Sequence, residues 1–182
     1  MKIGIISDTH DDIDNTNKAI DIFQKNDVKA VIHAGDIISP PVITEFFRLT
    51  EKGVKLFGIF GNNDGEKRGL ENAFKTVGGE LLSDIGKIDL DGLKFCIYHG
   101  QDLKKKEKII KSGKFDVFIF GHTHTRYPKD ADAKVINGTI ILNPGTAHSV
   151  AKTFGGGQYF GESSIMIFDT TTKQFKFFDL EQ

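Results

Sequence analysis

Residues 2–36 read KIGIISDTHDDIDNTNKAIDIFQKNDVKAVIHAGD. An apolar, β-branched run over 2–7 stops at the polar group Asp8-Thr9-His10. Ile13, Ala19, Ile20 and Phe23 then recur near helical spacing over 13–25, and Asp11 or Asp12 is placed to cap that helix. A second apolar strand, 29–33, ends in Ala34-Gly35-Asp36. Strand, amphipathic helix and strand in so short a span predict a βαβ unit, with parallel strands and the helix packed on one face.

The alternation continues outward. Pro40 and Pro41 suit the first turn of a helix over 42–49. A third strand is predicted over 54–60 and a helix over 66–76. Beyond Gly78-Gly79 the pattern loosens. Residues 85–90 and 93–98 alternate around Asp91-Gly92, which predicts a hairpin with a tight turn. A helix over 102–111 and an apolar strand over 115–120 follow. From residue 135 onward helix signals vanish. Residues 136–142, 164–168 and 174–178 read as antiparallel strands between Gly- and Thr-rich turns, with 155–157 a glycine loop. The expected fold class is α/β: two packed mixed β-sheets flanked by helices, in a single domain spanning 1–182.

Composition bounds the chemistry. The 182 residues carry 24 Lys+Arg against 25 Asp+Glu, a formal charge of −1, so no global basic field draws the chain to nucleic acid or an anionic membrane. The single Cys96 excludes an internal disulfide and any CxxC motif, and its apolar strand makes it inert core. No apolar run approaches the ~20 residues of a membrane helix, and the start lacks a signal-peptide pattern, so the expected location is cytoplasmic. Six histidines are left to place.

Five apolar strands each end in a group able to bind a metal: Asp8-Thr9-His10, Gly35-Asp36, Gly61-Asn62-Asn63-Asp64, His99-Gly100 and Gly121-His122-Thr123-His124. Successive groups are separated by roughly the ~30 residues of a βαβ motif. The carboxyl ends of parallel strands are where sites form in α/β sheets. A lone Asp or His after a strand is usually a cap or a turn residue, but Asp8, His10, Asp36, Asn62, His99, His122 and His124 are all expected on one edge. Nitrogen and oxygen donors without thiolate suit Mn²⁺, Fe²⁺, Ni²⁺, Co²⁺ or Zn²⁺. Seven donors exceed one tetrahedral ion but suit two divalent ions sharing a carboxylate. Only two donors are anionic, so the loaded site stays positive and attracts an anion. Two metals ~3.5–4 Å apart clamp a phosphoryl group, and phosphate-ester hydrolysis follows as the leading function.

In this order the motifs D-x-H, G-D, G-N-x-D, strand-terminal His and G-H-x-H resemble the calcineurin-like metallophosphoesterase pattern. The short length and the Asn143-Pro144-Gly145-Thr146 segment make the chain similar to its small YfcE-type phosphodiesterase branch. The resemblance covers the chain from Ile3 to about Asp169. It implies an α/β/β/α sandwich and one metal held by Asp8, His10, Asp36 and His124. A second would be held by Asp36, Asn62, His99 and His122, with Asp36 bridging. A metal-bridging hydroxide would then attack a phosphodiester, with Mn²⁺ the first choice of metal and Ni²⁺ next. Alternatives on the same fold are a phosphomonoesterase, a nuclease or a non-catalytic scaffold such as a retromer subunit.

Two departures from the pattern stand out. Many relatives carry G-N-H-D, with a His that binds phosphate or protonates the leaving group; here Asn63 takes its place and cannot deliver a proton. General acid help is typically worth 10²–10⁴-fold. Asn63 and Asp64 are therefore expected to bind phosphate or to support the ligands from outside. Asp11 stands where many relatives have Gly. His33 is expected to be buried core or to orient a ligand, and His148 to be a surface or substrate-rim residue. Lys104, Lys105, Lys106, Lys108, Lys111 and Lys114 read as a solvated helix face, with nucleic-acid contact the alternative. Most of the sixteen Phe, including Phe118, Phe120, Phe175 and Phe177, are expected in the core. Any exposed Phe is a surface for a homo-oligomer.

Overall fold

The computed structural model describes residues 1–129, 133–149 and 162–181. The chain begins with β1 (Lys2–Ile6), α1 (Ile13–Lys25) and β2 (Ala30–His33). It continues through α2 (Pro40–Glu45), α3 (Phe47–Thr50), β3 (Lys55–Gly58), α4 (Lys67–Thr76) and β4 (Glu80–Leu81). The strands β1 to β4 run parallel, as the βα alternation requires. Asp12, one of the two expected caps, accepts the Asn15 N–H at 3.0 Å and starts α1.

The second half contributes β5 (Ile85–Leu90), β6 (Leu93–Tyr98), α5 (Leu103–Lys111), β7 (Val117–Ile119), β8 (Arg126–Tyr127), β9 (Val135–Ile136) and β10 (Thr139–Pro144). It closes with β11 (Ser164–Asp169) and β12 (Phe175–Asp179). The first sheet has the order β12-β11-β1-β2-β3-β4, and the second β5-β6-β7-β10-β8, with β9 on β10. β11 returns antiparallel to β1, with Ile5 opposite Met166 on one side and Ile32 on the other. β6, β7 and β10 are mutually parallel. Asp91 and Gly92 both have positive φ, 52° and 79°, which matches the expected tight hairpin turn between β5 and β6.

Three apolar layers follow from this order. Ile3, Ile5 and Ile32 of the first sheet meet Phe95, Ile97, Val117 and Ile119 of the second between the sheets. Ile6 and Val31 point the other way, into Phe23, Phe46, Leu70 and Phe74 from the helices. Cys96, Tyr98, Phe118 and Phe120 form the outer face of the second sheet, under Ile109 and Ile110 of α5. β1 and β2 are buried along nearly their whole length because both faces are covered, as in parallel sheets generally. This is the α/β/β/α sandwich. Burial also pushes the Cys96 thiol up to about 11, consistent with inert core.

The structure corrects several boundaries. The helix expected over 42–49 is two short helices broken at Phe46, whose N–H bonds to Ile43 O at 3.1 Å and tightens the turn while the ring stays fully buried. The strand expected over 136–142 is a hairpin. Asn137 and Gly138 have φ of 49° and 81°, and they fold β9 back on β10. Asn-Gly is itself a strong hairpin signal. β4 and β8 are two residues each and leave no periodicity to read. The glycine loop at 155–157 lies outside the described residues. Among the described residues no helix is long and apolar enough to cross a membrane.

Candidate metal centre

The parallel strands of each sheet deliver their carboxyl ends to one edge, where the sheets meet. β1 leads into Asp8, β2 into Asp36, β6 into His99, and β7 into Gly121-His122-Thr123-His124. Asp8, Asp36 and His99 are buried. Asp8 Oδ1 lies 3.2 Å from His124 Nε2, 3.8 Å from His99 Nε2 and 3.9 Å from His10 Nε2. Asp36 Oδ2 lies 3.3 Å from His99 Nε2 and 3.7 Å from His10 Nε2. Two groups therefore have donor atoms close enough to share an ion: Asp8, His10 and His124; and Asp8, Asp36 and His99. The exposed His122 ring packs edge-on against His99 with centroids 5.2 Å apart. Asn62 sits exposed on the turn after β3. Five of the seven residues expected from sequence thus converge, His122 joins them through its ring against His99 and its N–H to Asp8, and Asn62 lies exposed on the neighbouring turn.

The backbone is bent to achieve this. Asp8, His10, Asp36, His122 and His124 all have φ between 42° and 66°, in the left-handed region. Each such non-glycine residue costs on the order of 1 kcal/mol or more, and clusters of them mark functional sites. Asp and His tolerate this region better than most residues. Hydrogen bonds hold the bends. Asp8 N donates to Gly35 O at 3.0 Å and His10 N to Asp36 O at 3.2 Å. Asp8 Oδ2 accepts His122 N at 3.0 Å and Ser7 Oγ at 2.6 Å. The Asp8 carbonyl accepts Thr146 Oγ1 at 2.8 Å and His148 N at 3.1 Å. The turns also touch so closely that a Cβ on Gly61 would collide with Asp36 Oδ1, and one on Gly121 with Ser7 Oγ.

Asp64 is the main clamp. Its buried carboxylate accepts four backbone N–H groups: Asp36 at 3.0 Å, and Ile37, Ile38 and Gly61 at 2.7 Å each. It joins the turn bearing Asp36 to the turn bearing Asn62. Ile38, a β-branched residue at φ 82°, is held there by this carboxylate. Asn63 donates through its backbone N at 2.9 Å and Nδ2 at 2.7 Å to the two oxygens of Asp36. Of the two expected outcomes for Asp64, binding phosphate or supporting the ligands, its contacts are of the second kind.

The donor chemistry fits divalent metal. His99 Nδ1 lies 2.8 Å from Ala34 O and donates its proton there, which leaves the Nε2 lone pair free. That Nε2 is buried between Asp36 Oδ2 at 3.3 Å and Asp8 Oδ1 at 3.8 Å and makes no well-formed hydrogen bond. A buried ring nitrogen between two carboxylates is where a cation satisfies all three groups. Burial opposes charge on Asp36, but His99 and the Asn63 donors outweigh it and hold its carboxyl well below the usual range. Burial lowers the pKa of His10 and His122, which favours the neutral, ligating ring. Burial acts against charge on His99 too, but Asp36 and Asp8 overcome it and raise its pKa.

Other residues fall into place around this edge. His33 is fully buried beneath it. His148, expected at the surface or a substrate rim, is partly buried beside the site: its ring lies 5.9 Å from that of His10, with Nδ1 3.7 Å from Asp12 Oδ2. Lys105 and Lys106 lie over the Tyr98 and Phe120 rings on the outer face, and no residue of α5 is buried. Sequence reasoning missed Thr9, Asp12 and Thr146 as supports of the site, since groups that bond distant backbone leave no spacing signal, and it missed Ser7, whose hydroxyl bonds the adjacent Asp8 carboxylate.

Comparisons with known proteins agree with this geometry. A model of the calcineurin-like phosphoesterase superfamily domain matches residues 1–173. Phosphodiesterase MJ0936 of Methanocaldococcus jannaschii is 39% identical over 182 residues, covering 100% of both chains. The solved structure of a novel archaeal phosphodiesterase has a TM-score of 0.81 and 34% identity, over 98% of this chain and 99% of that one. The phosphoesterase YfcE from E. coli has a TM-score of 0.62 at 15% identity over 100% of both chains, a likeness of fold alone.

Proposed function

The chain belongs to the calcineurin-like phosphoesterase superfamily, and on that footing we propose that it is a dinuclear, metal-dependent phosphodiesterase. One observation carries the metal reading. The buried His99 Nε2 lies between the Asp8 and Asp36 carboxylates without a well-formed hydrogen bond, a position that a cation shared by all three groups would satisfy. Asp8, His10, Asp36 and His124 would hold one ion, and Asp36, Asn62, His99 and His122 the other. The family resemblance gives Asp36 the shared position, and its Oδ2 approaches both His10 and His99, as Asp8 Oδ1 also does. Donors of nitrogen and oxygen alone suit Mn²⁺, Ni²⁺, Fe²⁺, Co²⁺ or Zn²⁺, and the family resemblance puts Mn²⁺ first. When bound, such a pair supplies activated water and neutralises charge on a phosphoryl group.

The chain's own residues shape the rest. The strained turns fix the donors before substrate arrives. Asn63 binds the Asp36 carboxylate and offers amide protons that it cannot transfer. Departure of a poor leaving group therefore lacks proton help from position 63, so a diester with a good leaving group suits the site better than an alkyl monoester. The substrate in this reading is a small phosphodiester, in one domain spanning 1–182 and in the cytoplasm. Nucleic acid enters only as substrate, and Phe47, 52% exposed, is a surface for a homo-oligomer.

The test is direct. Protein stripped with a chelator and reloaded with Mn²⁺ or Ni²⁺ is expected to hydrolyse bis(p-nitrophenyl) phosphate, and the stripped protein to be inactive. Reloaded protein that cleaves no diester contradicts the proposal.

A further inference from the structure

His33 is not among the seven donors, yet it is a fully buried titratable ring directly under the metal-binding turns. Its bonding leaves one consistent arrangement. Gly35 N–H donates to Nδ1 at 3.3 Å, so that nitrogen carries a lone pair and the ring proton sits on Nε2. Nε2 lies 3.1 Å from Thr9 Oγ1 and donates to it. The Thr9 hydroxyl in turn points its proton at Asp36 O, 3.4 Å away, with Ile37 O at 3.5 Å. Phe46 packs edge-on against the ring with centroids 6.4 Å apart and leaves it little room to rotate.

The chain of contacts runs from one ligand turn to the other. Thr9 lies between Asp8 and His10, and Gly35 directly precedes Asp36. The backbones of these two turns are already laced by Asp8 N to Gly35 O and His10 N to Asp36 O. Those bonds, with the Asp64 clamp, hold the turns from above and from the β3 side. The His33 contacts add a side-chain strut from beneath. We propose that His33 is a positioning residue whose Nδ1 and Nε2 lock the Gly35-Asp36 turn to Thr9, and so set the spacing of the carboxylates and imidazoles that hold metal. The proposal rests on the metal-centre reading above. The competing account is that His33 merely satisfies its own buried polar atoms, in which case its loss lowers stability and leaves metal affinity alone.

The experiment uses the full-length protein, stripped of metal and titrated with Mn²⁺ by calorimetry, with thermal unfolding of the metal-free forms in parallel. Thr9→Val keeps the side-chain shape and removes the hydroxyl; Thr9→Ser keeps the hydroxyl. His33→Asn retains an acceptor near Gly35 and loses the reach to Thr9. Partners that orient metal ligands typically change affinity 10–100-fold when removed. Thr9→Val and His33→Asn are each expected to weaken Mn²⁺ binding by about that factor, and Thr9→Ser to stay within about threefold of wild type. The double variant should bind no more weakly than the worse single one, because both break one contact. Should His33→Asn fail to fold, Thr9→Val against Thr9→Ser decides alone. Wild-type affinity in Thr9→Val, or losses that add in the double variant, overturn the proposal. If wild-type protein itself binds no Mn²⁺, the metal-centre reading fails and takes this proposal with it; if only the variants behave as wild type, the strut alone is wrong.

Discussion

Asp8, Asp36 and His99 are buried and fully engaged from behind, whereas Asn62 and His122 stand exposed at the same sheet edge. The deep carboxylates accept backbone and side-chain donors, and the His99 ring is pinned through Nδ1. The exposed pair sits on the turns that follow β3 and β7 and is open to solvent among the described residues. Deep donors have already lost their conformational freedom on folding, so little ordering remains when an ion arrives. Exposed donors must still be ordered. The deep half is expected to carry most of the metal affinity, and the exposed half to complete the ligand set of the second ion.

The largest effect that can break this comparison comes from Asp36→Ala. Its carboxylate lies between His10 and His99, one from each proposed metal set. Elemental analysis should find both metals lost, with diesterase activity at background; two metals retained per chain would show that Asp36 is not shared. Asp64→Ala comes next. It strips the acceptor from four backbone N–H groups, of which the Asp36 and Ile37 donors belong to residues with 1% or less exposure. Each buried group left unpaired costs about 1–3 kcal/mol, so denaturant unfolding should show a loss of about 3 kcal/mol or more. A loss under about 1 kcal/mol would mean that water takes over the clamp. His122→Ala is the smallest. At an exposed position it should shift folding stability by no more than about 0.5 kcal/mol and leave one metal per chain. Loss of both metals would erase the distinction between the two halves.

The two halves also differ in how far the sequence reveals them. The convergence of Asp8, His10, Asp36, His99 and His124 was legible because each follows an apolar run that had to be a strand, and parallel strands bring their ends together. The alternation around Asp91-Gly92 likewise fixed the β5–β6 hairpin, since both turn residues adopt the positive φ that such a pair favours. What holds the deep half was legible only in part: Asp64 was expected to bind phosphate or support the ligands, but its partners could not be read. Asp64 works on backbone N–H groups of Asp36, Ile37 and Ile38, more than 25 residues away, and any residue type supplies such a donor. Thr9 meets His33 across 24 residues by a contact that depends on strand register. β4 and β8 owe their existence to neighbours, being too short to show periodicity. The Asn137-Gly138 turn was readable in principle, but the apolar residues on either side masked it as one longer strand.

The central claim is that one edge of the sandwich holds two divalent ions with Asp36 between them. A crystal structure of Mn²⁺-loaded protein, with the ions located by anomalous scattering, tests it most directly. Two peaks about 3.5–4 Å apart, with an Asp36 oxygen within bonding distance of both, are predicted. A single peak, or two peaks without Asp36 between them, would contradict it.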